Sequence, residues 1–178
     1  IWTPLESSYD TETIYVSAKW MFLEALRGGF TGISNFAVMN SEKTEAIHRA
    51  AREVGIRLVS STGSALPVDG VTPPNNRDLS DAIEKGVERM EHLIAACASE
   101  PLITPSVCVP AVQSAPGELI RELSRLCAEQ DVLFQIHTNE HHVEVHWSVA
   151  TYGMRPLEYF AKYDAVGPHT LHHHCTLV

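Results

Sequence analysis

The sequence predicts an α/β fold of about five parallel strands with intervening helices, and two observations carry that reading. Strand-like and helix-like apolar spacings alternate along the whole chain. Each strand-like run is separated from the next by at least one helix-like run, which implies parallel strands joined by right-handed crossovers. No internal repeat or interdomain linker interrupts the pattern, so residues 1–178 read as a single domain. A doubly wound open sheet and a (β/α)8 barrel both satisfy the alternation. A complete barrel needs roughly 250 residues and eight strands, so on the barrel reading this domain is incomplete.

The elements follow in order. Asp10 before Thr11-Glu12-Thr13 reads as an N-cap, and Ile14, Ala18, Met21, Phe22 and Leu26 recur at helical spacing. Gly28-Gly29 ends that helix. A strand is expected over residues 30–37, a helix over 42–54 ending at Gly55, and a strand over 56–61. Residues 62–77, rich in Gly, Pro, Asn and Ser, form a loop. A helix over 78–98 carries Leu79, Ile83, Val87, Met90, Leu93 and Ile94 on one face. A strand at 102–109, a helix at 117–130 and a strand at 132–137 come next. Two shorter helices, 141–151 and 156–163, precede the last strand at 170–175.

Composition bounds the function. With 44% hydrophobic and 20% charged residues, the 178-residue chain can bury one compact core. A net charge of −9 without any basic cluster argues against a nucleic-acid surface. Neither a charged-then-apolar leader nor a long apolar run is present, so the expectation is a cytoplasmic protein with no signal peptide and no membrane span. The first residue is Ile1, and the natural start is expected upstream. Cys97, Cys108, Cys127 and Cys175 are irregularly spaced with no C-x-x-C pair, which favours reduced thiols over a disulfide framework.

Eight of the ten histidines follow residue 136. In Gln135-Ile136-His137-Thr138-Asn139-Glu140, the histidine closes a strand, where a barrel places its catalytic mouth. Glu140, three residues on, can curl over the same point and shuttle a proton between water and a substrate nitrogen. Alone, H-x-x-E is a weak signal, better met by a core histidine beside a solvated glutamate. The next strand ends in Leu171-His172-His173-His174-Cys175. Strand alternation puts His172 and His174 on one face and His173 on the other, and spacing does not choose between His172 and His174 as a ligand. Two successive strands ending in histidine, with a glutamate just past the first, point to a metal site.

Longer motifs surround these residues. His137-Thr138-Asn139-Glu140 is followed by Gly153-Met154-Arg155-Pro156-Leu157-Glu158-Tyr159-Phe160, then by Gly167-Pro168-His169-Thr170-Leu171 and His174-Cys175. The run resembles one typical of the amidohydrolase superfamily, in its deaminase and chlorohydrolase branch, down to the 37-residue spacing of His137 and His174. Upstream, Trp2-Thr3-Pro4-Leu5-Glu6, Glu24-Ala25-Leu26-Arg27-Gly28-Gly29 and Thr31-Gly32-Ile33 resemble that family's approach to barrel strand two. Residues 62–130 match in element order only.

The resemblance implies a partial TIM-type (β/α)8 barrel spanning strands two to six. It implies a divalent metal, zinc first with iron(II) as the alternative, and hydrolysis of an amino or chloro substituent on a small heterocyclic substrate. On this reading His137 and His174 are metal ligands and Glu140 is the proton shuttle. His141, His172 and Trp2 are carried as substrate contacts, and Asn75, Asn76 and Arg77 as weaker ones. Cys175 is expected to point away from the mouth.

Departures stand beside the likeness. The family's strand-one H-x-H and strand-eight Asp fall outside this sequence, and His172 and His173 stand where small residues are usual. A fragment of this kind is expected to be inactive alone and, with two open strand edges, to form a homo-oligomer. The alternative readings are a non-catalytic open α/β domain for a small ligand and a histidine surface that buffers metal. Met39-Asn40-Ser41-Glu42, after the first strand, lacks the glycines of a phosphate loop.

Overall fold

The computed structural model describes residues 5, 8–36, 41–63 and 80–177. In chain order they form α1 (Thr11–Arg27), β1 (Gly32–Asn35), α2 (Ser41–Val54), β2 (Arg57–Gly63), α3 (Ser80–Cys97) and β3 (Ile103–Val109). There follow α4 (Gly117–Glu129), β4 (Leu133–Thr138), α5 (His142–Tyr152), α6 (Pro156–Lys162) and β5 (Thr170–His174).

The helix ends are local chemistry. Asp10 accepts the Thr13 N–H at 2.8 Å, capping α1, and hydrogen bonding from the Thr13 side chain first, then from its N–H, holds the carboxyl below the usual range. Pro156 opens α6, while the Glu158 carboxylate reaches back to the Arg155 N–H at 2.7 Å. β1 is shorter than periodicity predicts, because Phe30 lies outside it, 64% exposed. In α1 the buried stripe narrows to Ile14, Ala18 and Phe22, strictly four apart, and Met21 and Leu26 are exposed.

The five strands are all parallel and lie in sequential order, β1-β2-β3-β4-β5. That order decides between the two architectures. A doubly wound sheet reverses direction at a switch point, whereas here every crossover steps one strand onward in the same sense. Right-handed crossovers that never reverse put the helices on one face and leave the other as a barrel interior. The structure is therefore a five-stranded segment of a TIM-type barrel wall.

Two apolar clusters fill the helix-facing side. Ile14, Phe22, Ala50, Ile56, Leu58, Leu93 and Ile103 bind α1, α2 and α3 to β2 and β3. Val107, Leu119, Ile120, Leu123, Phe134, Ile136, Tyr159 and Phe160 bind α4 and α6 to β3 and β4. Gly117 is required at the start of α4, since a Cβ there would sit 1.9 Å from the Tyr163 ring. All four cysteines are unpaired, and burial pushes the Cys108 and Cys127 thiols up to about 12, far from reactive thiolates. Among the described residues no helix is long and apolar enough to cross a membrane.

Candidate functional site

β4 divides its side chains between two environments. Phe134, Ile136 and Thr138 face the helices, and Gln135 and His137 face the interior. Gln135 is fully buried yet completely partnered. Its Oε1 accepts from Ser34 Oγ on β1 and from His173 Nε2 on β5, at 2.5 and 2.9 Å. Its Nε2 donates to Ser106 Oγ on β3 at 2.6 Å, and Ser106 donates on to the Ser60 carbonyl. This network ties all five strands together beneath His137.

His137 is half-buried at the end of β4. Its Nδ1 lies 2.7 Å from the Pro110 carbonyl, which can only accept, so Nδ1 carries the proton and Nε2 keeps a free lone pair. The Phe36 ring covers it at a centroid distance of 4.0 Å. Sequence reasoning reaches the histidine but neither Pro110 nor Phe36, because both arrive from just past the ends of other strands, β3 and β1.

β5 corrects the alternation expected for its histidines. His172 faces the helices: Nε2 donates to the Ala165 carbonyl at 3.0 Å, Nδ1 accepts from Thr138 Oγ1 at 2.8 Å, and Phe160 lies beside the ring. Both nitrogens are engaged and burial pushes its pKa down, so His172 serves as a neutral packing residue on the helix-facing side. His173 faces the interior with its ring 5.6 Å from His137, and burial first, then the neighbouring histidines, lowers its pKa. His174 reaches the same side because it and Cys175 adopt left-handed backbone angles, φ 68 and 52°. That turn ends the two-residue period and brings the His174 ring to 5.3 Å from His137. His174 Nε2 then lies 3.7 Å from Glu140 Oε1.

The structure thus brings His137, His174 and Glu140 together. The loop under Glu140 is heavily fastened. Asn139, buried at φ 51°, accepts the Leu157 N–H on its side chain, and its carbonyl accepts from Leu177 N and Thr176 Oγ1. Thr176 Oγ1 also lies 2.9 Å from the Glu140 carbonyl. His141 does not join the group. It is exposed and caps α5, its Nδ1 accepting the Glu144 N–H at 3.0 Å. Glu144, in the first turn of α5, is 2% exposed, and burial raises its carboxyl pKa. His142 and His146 are exposed with rings 6.1 Å apart. Trp2, Asn75, Asn76 and Arg77 lie outside the described residues.

The donor set fits part of a metal shell. His137 offers an oriented Nε2, the polarised arrangement common to metal-bound histidines, and His174 stands beside it. No group of three histidine, cysteine or acidic side chains among the described residues is arranged to close a shell. Two imidazoles with a carboxylate beside them can supply part of a metal shell and a group able to move a proton.

Known proteins resemble the chain in sequence and in fold. The chain is 30% identical over 178 residues to a 5'-deoxyadenosine deaminase of Methanopyrus kandleri, covering 98% of this chain and 37% of the relative. It superposes on a zinc-complexed atrazine chlorohydrolase of Arthrobacter aurescens with a TM-score of 0.77 at 18% identity, covering 97% of this chain and 40% of that one. A zinc-bound adenosine deaminase of Xanthomonas campestris gives a TM-score of 0.72 at 18% identity, covering 93% and 35%. The chain therefore spans little more than a third of these relatives. The model of the amidohydrolase family matches residues 2–178, and the chain belongs to that family.

Proposed function

We propose that this chain carries one wall of the active site of a metal-dependent aminohydrolase, acting on a small heterocyclic substrate of the adenosine type. The observation that supports it most is the convergence of three groups: a His137 whose Nε2 is freed by Pro110, His174 at a ring distance of 5.3 Å, and Glu140 at 3.7 Å from His174. His137 and His174 would hold a divalent metal, zinc first and iron(II) as the alternative, which supplies Lewis-acid activation of water when bound. Glu140, exposed at the mouth and anchored through its backbone, takes a proton from the attacking water and delivers it to the ring nitrogen beside the attacked carbon. The remaining proton on the added oxygen passes to the amino group, which departs as ammonia as the C–N bond breaks and the ring carbonyl forms. The substrate class rests on the deaminase relatives, and the 178 residues alone are expected to be inactive. A cytoplasmic homo-oligomer remains part of this reading.

The test is metal content by mass spectrometry and ammonia release from 5'-deoxyadenosine, both on the full-length gene product. Near-stoichiometric zinc, lost together with turnover in His137→Ala/His174→Ala, is expected. Unchanged metal content in that variant removes both ligands from the reading.

A further inference from the structure

We propose that Glu144 is a positioning residue for Glu140, an inference that rests on the function proposed above. Glu144 is 2% exposed, and its Oε1 has no hydrogen-bond partner. Burying a carboxylate with an idle oxygen is costly, and capping alone does not explain it. In a capping box the acid at the third helical position accepts the N–H of the cap residue itself. Here the cap is His141, which serves Glu144 through its own Nδ1. Glu144 Oε2 instead reaches one residue further back and accepts the Glu140 N–H at 2.8 Å.

Glu140 is thereby held at both ends of its backbone. Glu144 takes its N–H, and Thr176 Oγ1 shares its one proton between the Glu140 carbonyl at 2.9 Å and the Asn139 carbonyl at 3.1 Å. Thr176 stands two residues after His174, so the same clamp joins the loop that carries the proton shuttle to the strand end that carries a ligand. With the backbone fixed, only side-chain rotation decides where the Glu140 carboxylate lies, and it lies 3.7 Å from His174 Nε2. A misplacement of about 1 Å at such a group costs on the order of 100-fold in rate.

The role needs an acceptor at this point and not a charge, which makes it separable from general destabilisation. Glu144→Gln keeps a carbonyl oxygen for the Glu140 N–H, and Glu144→Ala removes it. In the full-length protein kcat on 5'-deoxyadenosine is expected to fall roughly 10- to 100-fold in Glu144→Ala, with KM nearly unchanged and with recovery in Glu144→Gln. A second readout is independent of turnover: amide hydrogen exchange at Glu140, slow in the wild type and in Glu144→Gln, fast in Glu144→Ala. Should Glu144→Ala fail to fold, the wild-type amide and the Gln variant still decide, and a fast-exchanging Glu140 amide in wild type overturns the proposal. A folded Glu144→Ala with wild-type kcat also overturns it. Unchanged turnover in Glu140→Gln overturns the proposed function instead, so the two failures are told apart.

Discussion

The two faces of the β4–β5 pair are built from alternate residues of the same strands and serve opposite purposes. Toward the helices stand Phe134, Ile136 and His172, packed among Leu119, Leu123 and Phe160. Toward the interior stand Gln135, hydrogen-bonded to Ser34, Ser106 and His173, and His137, bonded to the Pro110 carbonyl. The first face gains its stability from apolar area removed from water. The second tolerates buried polarity because Gln135 meets a partner at each of its side-chain atoms. Histidine shows the contrast within one residue type: His172 has both nitrogens engaged in packing, while His137 is turned so that one stays free. Position relative to the sheet, and not residue identity, separates structure from chemistry here.

Substitutions on the two faces should therefore separate stability from activity. The largest effect is expected at the mouth: Glu140→Gln in the full-length protein lowers turnover about 10²- to 10⁴-fold. Zinc content and melting temperature should stay at wild-type values, and a parallel drop in either would blur the distinction. On the helix-facing side, Phe160→Ala is expected to cost about 3–5 kcal/mol in denaturant unfolding, from a side chain that is fully buried. A loss below about 1 kcal/mol would show that this layer does not carry the fold.

A smaller change is expected from Gln135→Leu, which keeps volume but strands the donors of Ser34 and His173 and the acceptor at Ser106. About 1–3 kcal/mol should be lost, and equal stability in the variant would mean that the interior network is incidental.

The smallest effect concerns a polar pair within the helix-facing layer, buried His48 at 2.7 Å from Ser60 Oγ. Burial, outweighing the attraction of Glu45, pushes the His48 pKa below its usual 6.5. The unfolded chain then takes up this proton first, so the stability is fully present above about pH 6.5 and is lost as pH falls toward the folded value. His48→Gln should flatten that part of the pH–stability curve, and an unaltered slope would assign the loss to other groups.

Much of the architecture is legible in the sequence, for stated reasons. Helices and strands declare themselves through periodicity, because each buries one face. Asp10 and Gly28 mark α1, and the Pro156 start of α6 is equally local. His137, Glu140 and His174 are legible because their spacing resembles a family run. The choice between barrel and doubly wound sheet is not local. It depends on strand order, which periodicity does not encode, and a resemblance was needed to point to it. The orientation of the last histidines is equally hidden, since strand alternation fails where His174 and Cys175 turn left-handed.

What the sequence by itself determined was the alternation of elements, the parallel sense of the strands and the clustering of histidines beyond residue 136. These are properties of neighbouring residues and of short connections. Tertiary structure alone decided that His172 packs while His137 is freed by a carbonyl 27 residues away. It alone turned Glu144 from a helix-face residue into the acceptor that holds Glu140, and placed Gln135 at the crossing of four strands. The physical reason is that a hydrogen bond is set by distance and direction in space, and residues far apart in the chain acquire both only when the sheet closes around them.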